Sequence, residues 1–193
     1  MNLYDEENHK YYVDGIETPS VTEIASPISA ERLNALEKRL LDIARQRGIR
    51  CHEIFEEYML IGEIDPEEIE SEYIDYVRQF VLWAKTYRPK VLYTEKIFFN
   101  KEFCGRLDLI CQIDGKTLIV DYKVTSAIDK KSLSVQLEGY WRLAKMYNID
   151  IDDCYFLHIK KDSYVFKPIK RDSEWFDILL THNKKMRGKY NGK

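Results

Sequence analysis

The sequence contains no Cys-x-x-Cys pair. Its cysteines, Cys51, Cys104, Cys111 and Cys154, stand far apart. That spacing argues against a zinc or iron–sulfur site and fits free thiols in a reducing compartment. No apolar run approaches the ~20 residues that span a bilayer. The opening MNLYDEENHK is acidic and has no apolar core, so no signal peptide and no membrane contact are expected, and a cytoplasmic location is. Neither charge sign dominates: 30 Lys and Arg stand against 33 Asp and Glu, a net charge of −3. Such a chain has no global attraction to nucleic acid, so any contact with it must come from a local patch. Internal repeats and Gly/Ser-rich linkers are also missing, and 193 residues suit one domain spanning 1–193.

What is present is a globular composition, 45% apolar and 33% charged, enough to bury a core. YYVDGIETPSVTEI reads as a small hairpin around Asp14-Gly15, followed by a Pro-Ser loop. A helical pattern runs from Ala30 to about Met59 through Leu33, Leu36, Leu40, Ala44, Cys51 and Phe55, with Gly48 as a break point. A second helix is predicted from Asp65, with Asp65 as cap, Pro66 at the first position and Glu68 completing a capping box. Ile69, Tyr73, Tyr76, Val77, Phe80 and Ala84 form its apolar face. Strands follow at Val91–Phe99, Phe103–Gln112 and Thr117–Val124. After them come a helix over KSLSVQLEGYWRLAKMYN, a hairpin over DCYFLHIKKDSYVFKPI, a helix over SEWFDILLTHNKKM and a basic tail. The order predicts an α/β fold, a central mixed sheet flanked by helices. Within it, the hairpin and helices of 1–90 precede a core at 91–147, and a hairpin and helix at 148–193 follow.

The segment GRLDLICQIDGKTLIVDYK, Gly105 to Lys123, carries the chemistry. Asp114-Gly115 is a strong two-residue turn signal. Counting outward from it sets Asp108 directly across from Asp121, with Cβ atoms roughly 4.5–5.5 Å apart. Lys123 shares their face. The opposite face, Leu107, Leu109 and Cys111 with Leu118, Val120, Tyr122 and Val124, is apolar and therefore buried. Opposed like charges are destabilising unless a counter-ion joins them. Carboxylate oxygens suit Mg²⁺ or Mn²⁺. A lysine beside such an ion can stabilise charge developing on a phosphoryl group. The residues alone leave another reading open: a solvated face on which one Asp pairs with Arg106 or Lys123.

Gly-x-x-Asp (Gly105–Asp108), Asp-x-Lys (Asp121–Lys123) and Gln-x-x-x-Tyr (Gln136–Tyr140), preceded by Gly-x-x-x-His (Gly48–His52), resemble the ordered motifs of the RecB-like branch of the PD-(D/E)XK nuclease superfamily. The resemblance covers about Arg47 to Tyr147. PSVTEIASP is similar to the opening of phage-encoded members and of the mitochondrial genome-maintenance exonuclease.

The resemblance implies a restriction-endonuclease-like PD-(D/E)XK core and a metal-dependent DNA exonuclease acting on linear or single-stranded ends. The setting implied is bacterial or phage DNA processing and recombination, with a helicase or recombinase supplied in trans. Carried over residue by residue, Asp108 and Asp121 would ligate Mg²⁺ or Mn²⁺, joined by the Tyr122 carbonyl and His52. Lys123 would stabilise the attacking water or the transition state. Gln136 and Tyr140, one helical turn apart, would border the site and place Lys123 or the DNA backbone. Many relatives carry Glu where Asp121 stands. No C-terminal cysteine cluster is present, so no iron–sulfur cluster is expected. Glu95, on the preceding strand, is a further candidate.

Each of these residues also has a plainer reading. His52 could be a satisfied helix histidine, and Gln136 and Tyr140 could be core residues. Arg106 could be a solvated side chain or a phosphate contact. Lys130-Lys131, Lys160-Lys161 and the tail lysines could be solvated faces or a phosphate-holding groove. Some of the aromatics could stack on unpaired bases. Two other functions compete with the nuclease: a non-cutting module of the same fold that binds nucleic acid or protein, and an unrelated domain with a structural cation.

Overall fold

The computed structural model describes residues 1–33 and 38–190, and side chains for 1–28 and 42–188. Its centre is a five-stranded mixed sheet in the order β4-β5-β6-β7-β8. The strands are β4 (Lys90–Phe98), β5 (Gly105–Ile113), β6 (Lys116–Lys123), β7 (Asp153–Ile159) and β8 (Tyr164–Pro168). Asp114 and Gly115 both have positive φ (49° and 78°), the backbone that a tight hairpin with the right-handed strand twist requires. The register is the one predicted, running from Ile113↔Lys116 to Leu109↔Val120. Helix α4 (Lys130–Met146) carries the chain from β6 to β7, which pair in parallel. Asp129 caps α4 by accepting from the Lys131 and Ser132 amides.

Helices cover both faces of the sheet. On one face, Ile110 and Ile119 pack with Val21 and Ile24 of α1 (Val21–Leu33), Leu137 and Leu143 of α4, and Phe176 of α5 (Ser173–Tyr190). On the other, Leu109, Val120 and Tyr122 pack with Cys51 and Phe55 of α2 (Lys38–Ile61) and Phe80 and Trp83 of α3 (Ile74–Tyr87). Burying each such apolar side chain stabilises the fold by about 1.5–3 kcal/mol. Phe55 and Phe80 stack at 4.0 Å, and the Tyr122 ring meets both edge-on. Because side chains alternate along β6, this cluster fixes Tyr122 on one face and thereby presents Asp121 and Lys123 on the other. A second sheet, β1 (Asn2–Asp5), β2 (Lys10–Val13) and β3 (Ile16–Thr18), packs Tyr11 and Val13 against Cys104.

Several predicted elements take a different form. A strand at Asn2–Asp5 joins the N-terminal hairpin. The Pro-Ser loop ends at Ser20, whose Oγ accepts from the Glu23 amide and starts α1, a helix that contains Pro27. Gly48 does not break α2, which runs through it. Leu33, Leu36 and Leu40 lie outside the described side chains, and 34–37 outside the described backbone. Asp65 caps only a 3-10 turn, Pro66–Glu68, and α3 begins at Ile74. The run between them is acidic and buries none of its residues fully, so it lacks the apolar face that stabilises a helix. The basic tail is helical as far as Tyr190, where Lys184 pairs with Glu102 and Arg187 with Glu23. No described helix is long and apolar enough to cross a membrane.

Candidate metal centre

The β4–β5 and β5–β6 ladders both break at Asp108. Thr94 pairs with Leu109 and Lys96 with Leu107, so Glu95 stands opposite Asp108 on one side. The β5–β6 ladder ends at Leu109↔Val120, and one further residue sets Asp121 on the other side. Freed from the ladder, Asp108 accepts the Tyr122 amide at its own Oδ2, 2.6 Å away. Glu95 has φ 45°, left-handed backbone that a non-glycine residue rarely adopts inside a strand. Its side chain is half-buried, like those of His52 and Asp108.

His52 Nδ1 lies 3.4 Å from Glu95 Oε1 and 3.5 Å from Asp108 Oδ1. His52 reaches them because α2 is anchored one turn on by Phe55, and its ring meets Tyr122 edge-on at 5.6 Å. Ligand atoms of His52, Glu95 and Asp108 all lie within 4.8 Å of one another. Arg106 Nε holds the other Glu95 oxygen, Oε2, at 2.9 Å. On β6, Lys123 Nζ meets Asp121 Oδ2 at 2.6 Å and Gln136 Oε1 at 3.4 Å. Gln136 Nε2 donates to Tyr140 Oη at 2.9 Å, and Thr22 Oγ1 of α1 lies 3.4 Å from both groups.

Electrostatically the centre is under tension. Burial pushes the Asp121 carboxyl up to about 6 despite Lys123, and Asp108 adds to the rise. Burial also raises Asp108, His52 opposes the rise and Glu95 adds to it. For His52, burial acts downward, but Asp108 and Glu95 outweigh it and hold the imidazole above its ordinary value. Lys123 follows the same logic: burial lowers it, and Asp121 and Asp108 more than restore it. Glu95 Oε1 is buried without a hydrogen bond, and Asp121 Oδ2 has only its ion pair. A buried carboxylate oxygen left without a partner is costly. The donor set of one imidazole nitrogen and several carboxylate oxygens matches a hard-to-borderline divalent cation such as Mn²⁺ or Mg²⁺. Its coordination would satisfy the orphaned oxygens, so the residues fit the ion.

Of the predicted residues, His52, Asp108, Asp121, Lys123, Gln136 and Tyr140 line one cleft of about 590 Å³. The Tyr122 side chain points away into the aromatic cluster, and its amide serves Asp108. Glu95 joins His52 and Asp108 more closely than Asp121 does in the ligand cluster. Arg106 is half-buried and not free: it clamps Glu95. In the Lys123–Asp121 pair the carboxylate is buried and the lysine half-buried, which differs from the surface salt bridge of the plainer reading. Tyr140 has both its readings at once, since it is buried and its hydroxyl faces the cleft. Gly105 explains its own place in the motif: a Cβ there would lie 2.9 Å from Tyr140 Cε1. Thr22 falls within PSVTEIASP, but neither its spacing nor its side-chain type marks it as a site residue. Lys131 pairs with Asp172, away from the cleft.

The two acids and the lysine stand on adjacent central strands of the mixed sheet, and Gln136 and Tyr140 on the helix that follows. Neither a protein-family model nor a curated protein matches the chain. Among solved structures it is similar to a phage-related exonuclease from Haemophilus somnus 129PT, at 14% identity and TM-score 0.43, covering 87% of this chain and 92% of that one. It is also similar to SSO0001, at 16% identity and TM-score 0.38, covering 84% of each chain. Both likenesses are remote.

Proposed function

We propose that the protein is a divalent-metal-dependent DNA nuclease of PD-(D/E)XK type, an exonuclease that hydrolyses phosphodiester bonds at linear or single-stranded ends. The observation that carries this reading is the convergence of His52, Glu95 and Asp108 beside the Asp121–Lys123 pair. His52, Glu95, Asp108 and Asp121 would hold Mn²⁺ or Mg²⁺, with the Tyr122 carbonyl as a further donor. The cation, when bound, supplies Lewis-acid polarisation of a phosphoryl oxygen and lowers the pKa of a water nucleophile. Lys123 stabilises the negative charge that builds on the phosphoryl oxygens as water attacks. Gln136 positions Lys123 through its Oε1, and Tyr140 and Thr22 orient the Gln136 amide. DNA is the proposed partner, in phage or bacterial DNA processing, with strand separation supplied by another protein.

The test uses end-labelled linear DNA, single- and double-stranded, and a circular control, incubated with Mn²⁺ or Mg²⁺. Degradation of the linear forms alone, abolished by EDTA and by Lys123→Ala, is the expected result. Cleavage that survives EDTA or the variant would overturn the mechanism. Binding of DNA without cleavage would point instead to a silent module of the same fold.

A further inference from the structure

The cleft does not end at Lys123. A second lobe of about 400 Å³ opens on its far side. Thr22, Ser26, Lys123 and Gln136 line both lobes, so the two adjoin at Lys123. Resting on the nuclease reading, we propose that this second lobe binds the sugar and base of one unpaired nucleotide, adjoining the phosphate that is cut.

The lining has the chemistry of a nucleoside rather than of a phosphate. Ala127, Ile128 and Leu133 present apolar surface, and Thr125 and Ser26 present hydroxyls. Asp129, the lobe's carboxylate, already caps α4 through the Lys131 and Ser132 amides. The one lysine is Lys123, at the junction, where the phosphate would lie. The volume is within the ~300–1,000 Å³ range of small-ligand sites. That is room for one nucleotide. Enzymes that work on a single strand or an extruded base seat it in a fitted pocket of this kind.

The wall is also built before any ligand arrives. Arg47 Nε of α2 donates to the Val124 carbonyl at 3.2 Å, and His158 Nε2 of β7 donates to the Thr125 carbonyl at 2.6 Å. Thr125 Oγ1 donates to the Ala127 carbonyl at 2.9 Å. Three separate anchors hold the loop after Lys123, so the lobe is largely preformed, which lowers the ordering cost of binding.

Ala127 is exposed at the mouth of the lobe and its side chain packs into no core, so Ala127→Phe would fill the space without touching the metal ligands. The experiment measures hydrolysis of a labelled single-stranded oligonucleotide with Mn²⁺, and its inhibition by deoxythymidine 5′-monophosphate, for wild type and Ala127→Phe. The Mn²⁺-induced rise in Tm of both proteins reports the fold and metal site. The expected result is a KM and an inhibition constant raised at least tenfold in the variant, with the Mn²⁺-induced rise retained. Wild-type kinetics and wild-type inhibition in Ala127→Phe would overturn the inference and leave the nuclease reading standing. A wild-type protein that cleaves no oligonucleotide would overturn both.

Discussion

Arg106 holds Glu95 by one oxygen only. Its Nε lies 2.9 Å from Oε2, while Oε1 is buried, unbonded and turned toward His52 Nδ1 at 3.4 Å. The guanidinium therefore orients a candidate ligand whose backbone is already in a strained, left-handed conformation. Partners that orient metal ligands in this way typically matter 10–100-fold. Arg106→Ala is expected to weaken Mn²⁺ binding by about 10–100-fold, measured by titration calorimetry. Arg106→Lys, which keeps the charge but loses the planar fork, should recover only part of it. Unchanged Mn²⁺ affinity in Arg106→Ala would remove Glu95 from the site.

Gly105 sets the position of Tyr140 by having no side chain. An added Cβ would meet Tyr140 Cε1 at 2.9 Å and Leu143 Cδ1 at 3.1 Å, both in a packed core. Gly105→Ala is expected to destabilise the fold by about 1–3 kcal/mol, read from urea denaturation. It should also lower kcat more than it raises KM, because the Tyr140–Gln136–Lys123 chain shifts with the ring. Tyr140→Phe, which removes the hydroxyl without moving the ring, separates the two effects. A Gly105→Ala protein with wild-type kcat would show that this chain does not position Lys123.

Much of this was readable from residues alone, and the exceptions have physical causes. Asp114-Gly115 forces the hairpin, so Asp108 could be counted opposite Asp121, but strict alternation fails at Asp108: Leu107 packs with Ile110 and Ile119, not with Leu109 and Cys111 as expected. Gln136 and Tyr140 follow from helical spacing. Glu95 could not be placed the same way. The β4 register shifts between Val91 and Tyr93, which reverses the alternation, and the left-handed turn at Glu95 re-aims the side chain again. The Arg106–Glu95 contact inherits that obscurity. Helix α1 fell between the Pro-Ser loop and the helical pattern from Ala30, and Pro27 inside it is not a residue that favours a helix, although Ser20 caps it. Asp65, Pro66 and Glu68 gave a strong start signal, but the acidic run after them has no fully buried residue to hold a longer helix.

The raised Asp121 and His52 values predict that the metal-free protein loses stability as pH rises from about 4 to about 7. The Asp121 value of about 6 lies above the ordinary value of 3.8, so the folded protein keeps a proton that the unfolded chain has lost. Stability from this group is full below about pH 4 and falls as pH rises to about 6. His52 acts in the same direction: its folded pKa is raised, so its contribution is present below about 6.5 and is lost as pH climbs through that raised value. In EDTA, the wild type is expected to lose on the order of 1–3 kcal/mol between pH 4 and pH 7 through these groups. Asp121→Asn removes the lower part of the window, so its urea midpoint should vary less between pH 4 and 6 than that of wild type. Parallel profiles for the two proteins would show that Asp121 is not buried as a strained acid.

Divalent metal should reverse that penalty, since it replaces repulsion between buried acids by coordination. An ion that binds only the folded state at 100 times its Kd adds about 2.7 kcal/mol. For a chain of this size that corresponds to a rise in Tm of roughly 5–11 °C. The rise is expected with Mn²⁺, reversed by EDTA, and larger at pH 8 than at pH 5, where protons compete for His52 and Asp121. His52→Ala and Asp108→Asn should each remove most of it, because both residues belong to the ligand cluster. Lys123→Ala should retain it while losing hydrolysis, since Lys123 is a cation and no ligand. A Tm indifferent to Mn²⁺ at pH 8, with Asp108→Asn as stable as wild type or more so, would mean that the fold tolerates its opposed acids without an ion. The metal-dependent mechanism would then lose its foundation.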